Sequence, residues 1–238
     1  MIQWIAFDAD DTLWENEKYY HDGQVKLAQI LSDYYPADVV DEELLKTETN
    51  NMIWYGYGIK AFGLSMIETA IRLSNGKIGS KEISVIIDHL RSMLAQPAEL
   101  LPGVLETLEV LRPDYRMMVI TKGDLLDQER KLANSKLENY FEAYEVVSDK
   151  RDNTYTQILN RHTIHPGEFL MVGNSLRSDI LPVVKIGGYG VYVPHRFTWA
   201  HEEVSDSDSQ SDGYIQIDSI KHLPDVINNI NTNHRHKS

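Results

Sequence analysis

Three aspartates and a threonine follow directly on an apolar run at the start of the chain, where Ile2-Gln3-Trp4-Ile5-Ala6-Phe7 leads into Asp8-Ala9-Asp10-Asp11-Thr12. A short run rich in branched and aromatic side chains predicts a buried strand, so these acids stand at a strand exit. Carboxylates grouped there suit a hard cation or acid–base work. They suit the capping of a turn or helix equally well. Three later predicted strands also run out into polar residues: 115–120 into Thr121-Lys122-Gly123, 143–147 into Ser148-Asp149-Lys150, and 168–172 into Gly173-Asn174-Ser175, with Asp179 four residues on. Singly, each has a plain reading: Thr121 ends a strand, Asp149 or Asp152 caps a helix beside Lys150, and Asn174 or Ser175 is an N-cap. Jointly, four exits supply carboxylates, a hydroxyl and an ammonium. In a parallel α/β sheet the functional crevice lies beyond the carboxyl ends of the strands, where all of these residues fall.

The elements that must position them alternate on the scale of βαβ units. Helices are expected over 102–111, 124–137, 152–162 and 175–186, between strands 115–120, 143–147, 168–172 and 190–193. That rhythm predicts a doubly wound, largely parallel sheet with helices on both faces, and the strand ending at Phe7 belongs to it. A last edge strand over 214–217 and a last helix over 219–230 complete the reading, after an acidic, serine-rich loop over 202–213; residues 234–237 read as a solvated tail.

Between the first strand and the second the pattern is wholly helical. Apolar spacing predicts helices over 16–34, with Pro36 as a stop, over 41–55, capped by Asp41, over 64–71, ending at Asn75-Gly76, and over 80–94. A parallel connection usually needs little more than a dozen residues, so this block reads as an insertion. The expected division is a discontinuous α/β domain of residues 1–14 and 98–238, with a helical domain of 15–97 inserted on the first strand's exit. Within the insertion, Trp54-Tyr55-Gly56-Tyr57-Gly58 either lines a cleft beside a hinge or packs the insertion's own core.

Composition removes several classes of function. There is no cysteine, which excludes disulfides, thiolate nucleophiles and cysteine-bound metals. A net charge of −13 over 238 residues, without a large basic cluster, argues against a nucleic-acid partner. No apolar run approaches the ~20 residues of a membrane span, and no leader pattern opens the chain, so no membrane partner and a cytoplasmic location are expected.

With these residues in place, the sequence resembles the haloacid dehalogenase-like hydrolase superfamily. Its four motifs are matched in order by Asp8-Ala9-Asp10-Asp11-Thr12, by Thr121 after Val119-Ile120, by Lys150, and by Gly173-Asn174-Ser175 with Asp179. The helical insertion resembles the family's cap. The resemblance covers about residues 1–195, and the first and fourth motifs are its specific parts.

The resemblance implies a Rossmann-like core and a Mg²⁺-dependent phosphatase acting on a small phosphorylated molecule. Asp8 would be the nucleophile and form an aspartyl-phosphate, and Asp10 would pass a proton to the leaving alcohol and take one from water. Asp8, the Asp10 carbonyl and Asp179 would hold Mg²⁺, while Thr121 and the backbone at Lys122 and Gly123 would hold phosphoryl oxygens. Lys150 would pair with Asp8 and the phosphate. Where the fourth motif often carries a second acid, this chain has Asn174, expected to act one layer out from the metal. An acid at position 10 separates phosphatases from dehalogenases, which need no proton donor. Phosphomutases share the motifs, and a phosphate-binding protein without catalysis on this fold also remains open.

Overall fold

The structure, a computed structural model, describes residues 1–196 and 213–235, the side chains of 234 and 235 excepted. The acidic loop expected over 202–213 lies outside the described residues up to 212, as does the end of the tail at 236–238. Two compact units are present: Met1–Glu15 with Ala98–Lys122 and Lys131–Ser238, and Asn16–Pro97 with Gly123–Arg130.

The first unit is built on six parallel strands, β1 (Trp4–Phe7), β2 (Arg116–Lys122), β3 (Ala143–Val147), β4 (Phe169–Gly173), β5 (Tyr189–Tyr192) and β6 (Tyr214–Gln216). Their order across the sheet is β3-β2-β1-β4-β5-β6. β1 is central because it is apolar on both faces, as a strand covered by helices on each side must be. Phe7 is in register with Val119 on one side and Val172 on the other.

Alternate residues feed two cores. Ile5, Phe7, Val119, Leu170 and Val172 join Val104 and Leu108 of α5 (Val104–Leu111) and Leu223 and Ile227 of the last helix, Leu223–Arg235. Trp4, Ala6, Met118, Ile120 and Met171 join Tyr155 and Ile158 of α7 (Asp152–Arg161) and Val183 of α8 (Leu181–Lys185). The period-two alternation of a strand therefore sends each face to its own helical layer. Strand order reverses between β1 and β4, which is where such folds form their crevice.

Two local departures from the expected elements bear on function. β2 runs on through Thr121 and Lys122, so both are strand residues paired with Val146 and Val147 of β3. The single helix expected over 175–186 is instead a π-helical turn, Leu176–Ile180, followed by α8. Pro182 supplies a reason, since it has no N–H to offer the carbonyl four residues back, that of Ser178. The buried Tyr155 hydroxyl donates to that carbonyl instead, at 3.0 Å.

The second unit carries α1 (Glu17–Ile30), α2 (Ala37–Tyr55), α3 (Ile59–Leu73) and α4 (Ser80–Leu94) around Leu27, Leu44, Phe62, Met66 and Ile86. Asp41 does not cap α2, because the helix starts at Ala37 behind an extended Pro36 and Asp41 lies one turn inside. Pro36 is not the stop of α1, which ends earlier, at Ile30 with its cap at Leu31. α2 and α3 are joined by polar contacts, Thr69 Oγ1 to Thr47 Oγ1 at 2.9 Å and Asn51 Nδ2 to Ser65 Oγ at 3.1 Å. Ile53 and Trp54, 81% and 77% exposed, do not pack that core. Gly56 and Gly58, both with positive φ, make the turn into α3. The start of α6 (Leu125–Ser135) belongs to this unit, held by Lys60 to Asp124 at 2.8 Å. No helix among the described residues is long and apolar enough to cross a membrane.

Candidate active site

β1 releases the chain into a tight loop at Asp8. The Asp8 N–H continues the ladder to the Val172 carbonyl at 2.9 Å, and the N–H of Leu13 then returns to the carbonyl of Ala9 at 2.8 Å. Asp11 takes a left-handed conformation, φ 58°, inside this turn, a conformation that aspartate tolerates better than most residues. Trp14, fully buried, closes the loop, accepting from the Asp11 N–H at 2.7 Å through its carbonyl and donating from its indole to Asp10 Oδ1 at 2.8 Å. The loop is therefore held by its own backbone and anchored by one aromatic side chain.

Lys150, Asp8 and Asp179 form the centre. The Lys150 ammonium, 1% exposed, donates to Asp8 Oδ1 and to Asp179 Oδ1, the latter at 2.7 Å. Asp149 accepts from the Lys150 backbone N–H at 2.8 Å, which fixes the residue after β3. Asp179 Oδ2 accepts from the Ser175 N–H at 3.0 Å, so both of its oxygens are committed within the fold. Thr12 Oγ1 lies 3.3 Å from Asp8 Oδ2 and from Asn174 Oδ1, which places Asn174 one side chain away from Asp8.

Two buried carboxylates share one ammonium here. Burial, the largest influence, pushes the Asp8 carboxyl up to about 7; Lys150 opposes that rise, while the charges of Asp179 and Asp10 add to it. Burial alone would lower the Lys150 pKa, but Asp179 and Asp8 outweigh it and hold the ammonium above the ordinary lysine range. The centre is thus short of positive charge at neutral pH.

The other expected site residues are placed differently from one another. The Asp10 carboxylate is turned to Trp14 and to Lys131, whose ammonium lies 2.9 Å away. Thr121 is buried, and its hydroxyl donates to the Lys122 carbonyl at 3.2 Å. Lys122, expected to act through its backbone, sends its ammonium to Ser178 Oγ at 2.9 Å. Gly123, at φ 136°, groups with the helical unit. Lys131, Ser178 and Tyr155 carried no signal in the sequence, since each meets the site only through tertiary packing.

Gly173 has a steric role, because a Cβ there would collide with the Asp179 carboxylate. Gly173→Ala is therefore expected to keep the fold, displace Asp179 and, for the phosphate-ester hydrolysis that the sequence resemblance implies, lower kcat/KM about 10²-fold, read beside thermal unfolding. A kcat/KM equal to wild type would show that Asp179 does not need that position.

A family model, haloacid dehalogenase-like hydrolase, matches residues 2–187. The human N-acylneuraminate-9-phosphatase is 24% identical over 190 residues, which span 75% of this chain and 77% of that protein. A pyrimidine 5′-nucleotidase of Escherichia coli strain K12 is 24% identical over 196 residues, 77% of this chain and 82% of that protein. A haloacid dehalogenase-like family hydrolase from Xanthomonas campestris, solved at 1.81 Å, superposes with a TM-score of 0.88 at 35% identity, covering 100% of this chain and 95% of that one.

Proposed function

This chain belongs to the haloacid dehalogenase-like hydrolases, and we propose that it is a Mg²⁺-dependent phosphatase cleaving a small phosphate monoester through an aspartyl-phosphate on Asp8. The observation that carries the reading is the buried Lys150 ammonium shared by Asp8 and Asp179. A phosphate ester repels nucleophiles, so a site must align the attacking oxygen and neutralise charge. Lys150 orients Asp8 for that attack and lowers the repulsion of the incoming phosphoryl group. Thr121, near the end of β2 beside β1, is the hydroxyl assigned to a phosphoryl oxygen.

The donor set fits the metal. Asp8 and Asp179 offer only hard oxygens, and a buried pair of carboxylates with one ammonium lacks the positive charge that a dication brings. Asp8, the Asp10 carbonyl and Asp179 would hold Mg²⁺, which supplies charge neutralisation to the phosphoryl oxygens. Asn174, bonded to Thr12, brings no charge of its own and stands one layer out.

Asp10 is the proton carrier in this reading. Its carboxylic acid form gives its proton to the leaving alkoxide, and the carboxylate so formed accepts one from the water that hydrolyses the acyl phosphate. The presence of an acid here favours phosphate ester over organohalide as substrate, because halide leaves without a proton. The helical unit is proposed as the cap that selects the leaving group. Similarity to an N-acylneuraminate phosphatase and a nucleotidase supports a small phosphorylated metabolite.

The deciding experiment is hydrolysis of a generic aryl phosphate with Mg²⁺ and with EDTA, followed by a panel of sugar, sugar-acid and nucleotide phosphates. Activity requiring the metal is expected; activity untouched by EDTA would sink the metal assignment. Asp10→Asn should lower kcat for alkyl phosphates by about 10²–10³-fold. A near-normal rate with that variant would remove Asp10 from proton transfer.

A further inference from the structure

Beside the loop that carries Asp8 and Asp10, but apart from the Lys150 centre, three metal-ligating side chains meet. Asp11 and Glu15 come from the exit of β1, and His195 from the exit of β5. One ligand atom from each lies within 4.8 Å of the other two. His195 Nδ1 stands 3.5 Å from Asp11 Oδ1, and Nε2 stands 3.6 Å from Glu15 Oε1.

These distances are long for hydrogen bonds. A single ion takes one ring nitrogen, so either distance, but not both, is an edge of one coordination shell; each is close to the ~3.4 Å that separates two ligands each ~2.1 Å from one tetrahedral ion. A second, independent observation concerns Glu15. Its Oε1 is buried and has no hydrogen-bond partner, which is costly for a carboxylate oxygen. Its other oxygen, Oε2, accepts from the Arg196 guanidinium at 3.2 Å, so the side chain is oriented with Oε1 left facing the histidine. Ligating carboxylates are commonly held in this way by a group outside the coordination shell.

From this geometry we infer that Asp11, Glu15 and His195 form a second cation site, for a first-row transition dication of the zinc and manganese class. The ligand types choose the class. One imidazole with two carboxylates is softer than the all-oxygen set at Asp8 and Asp179, and imidazole favours zinc over magnesium. The site joins residues at both ends of the catalytic loop to the strand exit two places away in the sheet, so the ion pins the loop that presents Asp8 and Asp10. The inference goes beyond the proposed reaction and does not depend on it.

The test is equilibrium dialysis of the full chain against Zn²⁺ in excess Mg²⁺, with bound zinc measured by mass spectrometry. Wild type and Asp8→Asn should each retain one equivalent, as should a variant with His234→Gln and His236→Gln in the tail. Glu15→Gln and His195→Gln should each weaken retention at least about 100-fold, with unchanged far-ultraviolet circular dichroism. Three results overturn the inference: no zinc on wild type, undiminished zinc on both of those variants, or zinc lost from Asp8→Asn. Zinc X-ray absorption of the wild-type protein stands even where a variant fails to fold. One imidazole among oxygen ligands is expected, and none, or two or more, contradicts the site.

Discussion

Asp8→Asn is expected to lower kcat for aryl phosphate hydrolysis by roughly 10⁴–10⁶-fold, because in the proposed mechanism it removes the attacking oxygen and not merely a binding contact. Acid quenching with labelled substrate should trap phosphate covalently on the wild-type protein and none on the variant. Residual activity within tenfold of wild type would exclude Asp8 as the nucleophile. The same substitution has an opposite effect on stability. In metal-free protein the folded state holds the Asp8 proton to about pH 7, against an ordinary value of 3.8. Between those values the folded state binds more protons than the unfolded state, so stability falls as pH rises through the window and is flat above it. Asp8→Asn lacks that fall, and in EDTA at pH 8 it should be at least as stable as wild type. A wild-type stability that rises from pH 4 to 7 more steeply than that of the variant would contradict the sign. Metal binding follows from the same linkage. In the proposed site Mg²⁺ displaces the Asp8 proton, so its affinity is expected to rise about tenfold per pH unit below 7 and level off above, read by calorimetry.

Lys150→Met carries the second large effect. The ammonium is the cation of a buried triad with Asp8 and Asp179, and deleting it leaves two carboxylates in the interior without a countercharge. Removing one partner of such a group costs about 3–5 kcal/mol. The loss should be greatest at pH 8 and smaller at pH 5, where the Asp8 carboxyl relieves the repulsion by taking up a proton. Urea unfolding of the metal-free variant at both pH values measures it. Catalysis should fall about 10³-fold at a pH where the variant is folded, since the positive charge proposed to face the phosphoryl group is gone. A variant of unchanged stability and rate would mean that Lys150 is a bystander.

Much of the arrangement is legible in the sequence. Apolar runs too short for helices, each ending in polar residues, marked β1 to β4 and their exits. A long helical stretch after the first strand marked a block too large for a connection. Boundaries were less legible where one residue competes with a pattern. Pro182 turned an expected helix into a π-helical turn, and Pro36 stands at the start of α2 instead of ending α1, which stops at Ile30. The unabsorbed aromatic segment shows the same limit, because the sequence does not reveal that Trp54 and Ile53 stand exposed while Tyr55 reaches Glu68 at 3.1 Å.

By itself the sequence determined the chemistry available: which carboxylates, hydroxyls and ammonium groups sit at strand ends, and that cysteine chemistry is absent. Local patterns fix these because strand periodicity and turn residues act over a few neighbours. Only the tertiary structure decided who shares what. Lys150 meets Asp8 across 142 residues, Asp10 is paired with Lys131 across 121, and His195 stands beside Asp11. Those pairings depend on strand order and on burial. β1 lies between β2 and β4, and the low-dielectric interior there makes one ammonium between two carboxylates a strong interaction that no spacing along the chain encodes.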